Sequence, residues 1–312
     1  MLQDWIVELR PKTLLLGGTN CAVGCGLGFY YGAFNLYNLT AAFLIIVTAV
    51  LLQILSNFAN DYGDAYRGAD RADRLGPIRA VMTGSITVRQ LRRAMAVVTL
   101  LACFFGLIAV VMTLGNDFKI LAWFLFAGVI AIVAAIFYTV GMAYGYKGFG
   151  DISVFIFFGL LSVLGPQIMI TNASGGGTEI YPDALLLAIS IGAGSVMVLH
   201  VNNMRDAAQD KISGKRTLAT RLGTRLSAVY HVILFAVVVL CSFAACFLSH
   251  KFWEFAILAV GLIPLMASVF RVVKNNRDAK ILAPELKFTS LGNAVHNLAW
   301  LIVLTVDFWV YY

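Results

Sequence analysis

Charge is scarce in this chain. Only 12% of its 312 residues are Asp, Glu, Lys or Arg, about half the share of an ordinary soluble domain. That scarcity excludes a soluble globular class. Cysteine is sparse too: Cys21, Cys25, Cys103, Cys241 and Cys246 lie inside apolar runs and form no Cys-x-x-Cys pair, so neither a disulfide framework nor a metal knuckle is indicated. The histidines His200, His231, His250 and His296 share no metal-site spacing. Packed, hydrogen-bonded rings are the plainer expectation, with cavity lining by His200 and His296 the alternative. Nucleophile motifs of the Gly-x-Ser-x-Gly kind are missing. The Gly-rich stretch 172–178 lacks the strand-to-helix context of a phosphate loop and reads as a connector. The opening residues carry no signal-peptide pattern, and the first apolar run begins after Arg10-Pro11-Lys12. Nothing marks a second domain, so one domain over residues 1–312 is expected.

What the chain does have is apolar length. Hydrophobic residues make up 60% of it, in runs near the 20 or so residues that cross a bilayer core. Nine spans are predicted, at about 13–31, 40–60, 94–115, 118–140, 152–171, 183–203, 228–248, 253–270 and 288–309. A re-entrant segment is the alternative for the sixth and the ninth. Short turns alternate with long polar loops at 61–93, 141–151, 204–227 and 271–287. The predicted fold is thus an all-α integral membrane bundle of nine transmembrane helices. Of the 23 Lys and Arg residues, all but Lys119 and Lys251 fall on the long-loop side. Positive charge marks the cytoplasmic face, which places the N-terminus in the cytoplasm and the C-terminus across the membrane. The net charge of +7 is therefore a topology signal, and no nucleic-acid partner is expected. The first span is rich in small residues, Gly17, Gly18, Cys21, Gly24, Cys25, Gly28 and Gly32, and spacings of three to four place several of them on one stripe where another helix can approach closely.

Two polar clusters stand at the cytoplasmic ends of the second and sixth spans. The first holds Asn57, Asn60, Asp61, Asp64, Arg67, Asp70, Arg71, Asp73 and Arg74. If the second helix continues through it, Asn57, Asn60, Asp61 and Asp64 share one face. The second holds Asn202, Asn203, Arg205, Asp206, Asp210, Lys211 and Lys215, with Asp206 and Asp210 an i, i+4 pair of like charge that opposes the helix unless neutralised. Two carboxylate faces across a cavity suit a hard cation such as Mg²⁺, which shares oxygen ligands with substrate phosphates. The interleaved Arg and Lys suit the phosphates themselves. Together they suggest a metal–diphosphate site. Solvated loop acids are the bland alternative, and an ion-coupled transporter is the alternative from another class, although transporter sites lie near the midplane. Asp61 fits a ligand, a ring-orienting group or a solvated neighbour.

These motifs resemble the UbiA superfamily of intramembrane prenyltransferases, which carry two Asp-rich motifs on two helices. Asn60, Asp64 and Asp70 match the first motif, and Asp206 and Asp210 match the second. Gly68 stands where many members have the last Asp of the first motif, and Asp70 fills that role. The stretches 9–14, 52–57, 76–79, 138–141, 144–154 and 202–206 are similar to the branch that prenylates 1,4-dihydroxy-2-naphthoate on the way to menaquinone. The likeness is clear to about residue 225 and weaker beyond. It implies a nine-helix bundle whose membrane-level cavity is capped by cytoplasmic loops, in a bacterial inner membrane. It implies Mg²⁺ held with diphosphate by Asn60, Asp64, Asp70, Asp206 and Asp210, with Asp64 and Asp206 at the catalytic centre. Arg74, Lys147 and Arg205 would donate to the diphosphate, with Lys215 a further candidate. Asn57, Asp61, Tyr138 and Asn202 would line the acceptor and cation site, the Tyr138 ring facing the allylic cation or merely filling the interface. The implied partners are polyprenyl diphosphate, 1,4-dihydroxy-2-naphthoate and the bilayer. 4-Hydroxybenzoate or another aromatic acceptor is the alternative within the family, and self-association stays open.

Overall fold

The computed structural model describes residues 2–67, 79–249 and 252–311; the predicted site residues Asp70 and Arg74 lie outside them. Among the described residues every regular element is helical. A short α1 (Leu2–Leu9) leads into α2 (Pro11–Tyr31), α3 (Leu36–Tyr66), a single turn α4 (Ala80–Thr83), α5 (Val88–Leu114) and α6 (Phe118–Phe137). A 3₁₀ turn (Tyr144–Lys147) precedes α7 (Gly150–Val154), which passes through a π-helical stretch (Phe155–Leu161) into α8 (Ser162–Ala173). The long helices α9 (Pro182–Ile212), α10 (Leu218–Ser249), α11 (Phe252–Lys274) and α12 (Ala279–Tyr311) complete the chain. Eight of these helical stretches are long and apolar enough to cross a bilayer. The predicted first span, α2, is 21 residues long but is not among them, so the count of nine is not reproduced by length and composition. Its Gly, Thr and Asn content lowers its apolar character because it packs inside the bundle, against α8 and α12, rather than against lipid.

Local chemistry sets the helix starts. Asn35 caps α3 by accepting from the Asn38 amide, and Asp117 caps α6 by accepting from Lys119 and Ile120. Thr87 and Gln90 form a reciprocal capping box on α5. The small-residue stripe of α2 works as close packing: a Cβ on Gly24 would stand 2.4 Å from the Val163 carbonyl oxygen of α8. Asn20 ties α2 to its neighbours, donating to the Phe158 carbonyl at 2.7 Å and the Ser195 hydroxyl at 2.8 Å. The side of α5 and α6 that bears Leu100, Phe104, Trp123, Phe126 and Val129 is exposed, as a lipid-facing surface should be.

The helices outrun the apolar runs at the basic end. The polar stretch 204–227 is helical to Ile212 and resumes at Leu218 with a break at Gly223. The stretch predicted as loop 271–287 contains only the residues between Lys274 and Ala279 outside helix. Both α9 and α12 are continuous helices, which removes the re-entrant alternative for each. A helix of 31 residues is about 46 Å long at 1.5 Å per residue, well beyond a hydrocarbon core of about 30 Å. The last turns of α3 and α9 therefore project past the apolar slab together, at the same end. That overhang positions the two polar clusters.

Candidate active site

Because α3 is helical to Tyr66, Asn57, Asn60, Asp61 and Asp64 fall on one face, as the spacing requires. They look across a cavity of about 690 Å³ at Asn202, Arg205, Asp206 and Asp210 on α9. Tyr138 and Lys215 line the same cavity. The chain thus brings together all but one of the described residues predicted for the site. Lys147 is the exception: it lines a neighbouring cavity instead.

The acids are almost wholly buried, so each must have a cation. Arg79 reaches both acids of α3, with Nη1 2.8 Å from Asp61 Oδ1 and 2.8 Å from Asp64 Oδ2. Arg10, whose backbone is left-handed at the junction of α1 and α2, makes a second ion pair to Asp61. Lys215 Nζ lies 3.2 Å from Asp64 Oδ1 and 3.9 Å from Asp210 Oδ1, so one ammonium joins the two clusters. Arg205 spends its fork on Asp206, Nε and Nη2 each at 2.6 Å, and also donates to Asn202 Oδ1 at 2.8 Å. Asn57 Nδ2 donates to the Leu9 carbonyl at 3.1 Å, which pins α1 across the mouth.

Four residues that the sequence did not single out complete the site. Arg79 stood inside one of the quoted stretches, but its pairing with acids many residues earlier has no local signature. The Tyr146 hydroxyl donates to Asp64 Oδ1 at 2.5 Å. Burial and then the Asp64 charge hold this phenol well above its ordinary range, so it stays protonated as a donor. Glu8 is 1% exposed and accepts from the Ala80 amide at 2.6 Å. Burial, and next the Asp61 carboxyl beside it, push Glu8 up to about 8. Arg10 is the fourth. Tyr138 follows directly on the end of α6 and lines the cavity. Its ring can stand here because position 145 is glycine: a Cβ there would lie 2.7 Å from Tyr138 Cε1.

Below the charged mouth the walls turn apolar. Ala127, Gly128, Ala131, Ala134 and Ala135 of α6 face Phe157, Phe158 and Leu161 of the π-helical stretch and Pro166 and Met169 of α8. His200 and His296 are packing residues. His200 bonds the Ser227 carbonyl oxygen at 3.1 Å, His296 bonds Ser242 Oγ at 2.9 Å, and neither lines the cavity. His250 lies outside the described residues. The Gly-rich 172–178 connector sits at the opposite end of the bundle, between α8 and α9.

Could the site hold Mg²⁺? Among the described residues no three His, Cys, Asp or Glu side chains form a protein-only metal cage. Mg²⁺ does not need one, because it commonly takes one or two carboxylates and completes its shell with water and phosphate. The donor set fits that pattern. Asn60 Oδ1 is buried with no hydrogen-bond partner among the described residues, and Asn60 and Asp64 line the same cavity.

An ionic head site of mixed carboxylates and cations, over an apolar chamber at membrane level, defines an integral membrane protein that handles an anionic amphiphile. Comparison with known proteins agrees. Residues 21–291 match the profile of the UbiA prenyltransferase family. A 1,4-dihydroxy-2-naphthoate octaprenyltransferase from Escherichia coli (strain K12) is 37% identical, with 98% of this chain and 96% of that protein covered. Its counterpart from Haemophilus influenzae is 36% identical, with 98% and 96% covered. Among solved structures, a UbiA homologue from Archaeoglobus fulgidus bound to DMAPP and Mg²⁺ superposes with a TM-score of 0.60 at 18% identity, covering 96% of this chain and 99% of that one. The chain belongs to the UbiA prenyltransferase family.

Proposed function

We propose that this enzyme transfers a polyprenyl group from polyprenyl diphosphate to 1,4-dihydroxy-2-naphthoate, with loss of the ring carboxylate as CO₂, to give a demethylmenaquinone precursor in menaquinone synthesis. The observation that carries the reading is the position of Lys215, within reach of Asp64 on one helix and Asp210 on another at the mouth of an apolar chamber. The names of the full-length relatives support the naphthoate as acceptor. The rim position of both clusters disfavours ion-coupled transport, whose sites lie near the midplane.

Asn60, Asp64, Asp206 and Asp210 would hold Mg²⁺ with the diphosphate, and Asp70 would join them by its motif position. Bound there, Mg²⁺ supplies Lewis-acid neutralisation of charge on the leaving diphosphate. The chain's own residues do the rest. Arg79 and Lys215 are cations fixed at the acids and available to phosphate oxygens, where charge grows as the allylic C–O bond breaks. Arg205 holds Asp206 in place and is itself a candidate donor to the diphosphate, as is Arg74 by the motif likeness, whereas Lys147 lines the neighbouring cavity instead. Tyr146 keeps its proton and orients Asp64. The Tyr138 ring and the apolar walls below exclude water from the allylic cation. A ring carbon of the acceptor then forms the new C–C bond, the bond to the carboxylate breaks, and the electron pair of that bond restores the aromatic ring. Asn57, Asp61 and Asn202 border the space for the acceptor. The basic end faces the cytoplasm of a bacterial inner membrane, and the whole chain works as one domain.

The test is a choice of acceptor. Purified enzyme is given Mg²⁺, a prenyl diphosphate and, in separate reactions, 1,4-dihydroxy-2-naphthoate or 4-hydroxybenzoate, and products are identified by mass. Prenylated, decarboxylated naphthoquinol from the first alone is the expected result. Product from 4-hydroxybenzoate alone would reassign the acceptor.

A further inference from the structure

A second cavity, of about 1130 Å³, lies beside the first at the basic end. Arg67, Lys147, Arg216 and Arg221 line it, and no carboxylate does among the described residues. Like charges gathered around one concavity repel one another and raise the local concentration of polyanions. Two of the four are also held in place. Arg67 donates to the Thr139 carbonyl at 3.3 Å and the Gly141 carbonyl at 2.8 Å, and Arg221 donates to the Lys147 carbonyl at 2.7 Å. Neutral carbonyls fix these guanidinium groups without cancelling their charge. A basic residue that merely marks the cytoplasmic face needs no such anchoring.

The wall between the two cavities is thin. Thr139 and Tyr146 line both. The Tyr146 ring has Arg67 5.2 Å from its centroid and Lys215 4.5 Å from it, while its hydroxyl bonds Asp64. An anion leaving Asp64 and Lys215 therefore meets Arg67 after passing one side chain. We infer that the outer cavity is a second binding site for diphosphate, occupied by the leaving group after it has been cut from the prenyl chain. This rests on the prenyltransfer reading above. A lipid headgroup phosphate presents related chemistry, but the position next to Asp64 favours the free anion released there.

Calorimetry with inorganic pyrophosphate and Mg²⁺, on protein in neutral-lipid nanodiscs, tests the site without turnover. The parent chain should take up two pyrophosphates. Arg216→Gln/Arg221→Gln should keep the inner one and bind the outer about tenfold more weakly. Asp64→Asn/Asp206→Asn should lose the inner one and keep the outer. In the transfer reaction, pyrophosphate should inhibit the parent in a mixed manner against prenyl diphosphate, and the arginine double variant competitively, with initial rates unchanged. One pyrophosphate per chain in both the parent and the arginine variant would overturn the inference. So would a cavity that ignores pyrophosphate in neutral lipid and binds only phosphatidylglycerol when that lipid is supplied. Two pyrophosphate sites on a protein that prenylates no acceptor would instead strike the prenyltransfer reading and leave the outer anion site standing.

Discussion

Replacing Arg79 by glutamine should destabilise the fold by a predictable amount. Arg79 has a side chain 7% exposed and bridges two carboxylates, Asp61 and Asp64, whose side chains are 1% and 5% exposed. Removing one partner of a buried ion pair costs about 3–5 kcal/mol, because the remaining charge is left uncompensated. Here part of the compensation survives. Arg10 still pairs with Asp61, and Lys215 with Asp64. That lowers the expected cost to about 2–3 kcal/mol. At about 2 °C per kcal/mol for a chain of this size, the Tm should fall by roughly 4–6 °C. The double variant Arg79→Gln/Asp61→Asn removes one of the stranded charges and should recover about half of that loss, the non-additive signature of a shared network. Thermal unfolding in detergent, followed by far-UV circular dichroism at fixed ionic strength, reads both effects. A single variant with an unchanged Tm, or a double variant less stable than the single, would refute the reasoning.

Three further outcomes are expected. Chelation with EDTA should abolish turnover and added Mg²⁺ should restore it, measured as release of inorganic diphosphate; full activity in metal-free buffer would contradict the donor-set assignment. Asp64→Asn and Asp206→Asn should each lower kcat by about 10²–10³, and the double variant should lose less than the product of the two, because groups acting as one unit are non-additive; near-normal turnover of both single variants in membranes would return these acids to solvated loop charge. The third concerns pH. Glu8 is raised in the folded chain from 4.5 to about 8, so folding favours its protonated form, and its contribution to stability is full below pH 4.5 and declines as pH rises through about 8. Glu8→Gln should flatten that decline, with Tm measured from pH 5 to 9; parallel profiles for parent and variant would contradict it.

How far the sequence could be followed depended on the range of each interaction. The two clusters were legible because helical spacing alone puts Asn57, Asn60, Asp61 and Asp64 on one face of α3 and pairs Asp206 with Asp210 on α9. The helix ends were less so. Hydropathy reports the thickness of hydrocarbon, not the length of helix, and polar turns continue wherever a cap closes them, as Asp278 does by accepting from the Lys280 amide at 2.9 Å. Thus α12 begins at Ala279, inside the stretch that its charge marked as loop. The first span failed the length-and-composition test for the opposite reason: its Gly17, Asn20 and Gly24 make it a poor match to lipid because its surroundings are other helices. Pairings across the fold had no local signal. Arg79 with Asp61 is set by how the start of α4 meets α3, and Tyr146 with Asp64 and Lys147 at the outer cavity by where the 144–147 turn sits; only the folded chain displays them.

In the proposed reaction, prenyl transfer, diphosphate release and decarboxylation occur together at the Asp64–Lys215–Asp210 mouth. Carboxyl-labelled 1,4-dihydroxy-2-naphthoate tests it most directly, with labelled CO₂ and inorganic diphosphate counted in the same reaction. One CO₂ per diphosphate is expected, both dependent on Mg²⁺ and on prenyl diphosphate, and both lost together in Lys215→Met. Diphosphate released with the label still on the ring, or CO₂ released without prenyl diphosphate, would contradict it.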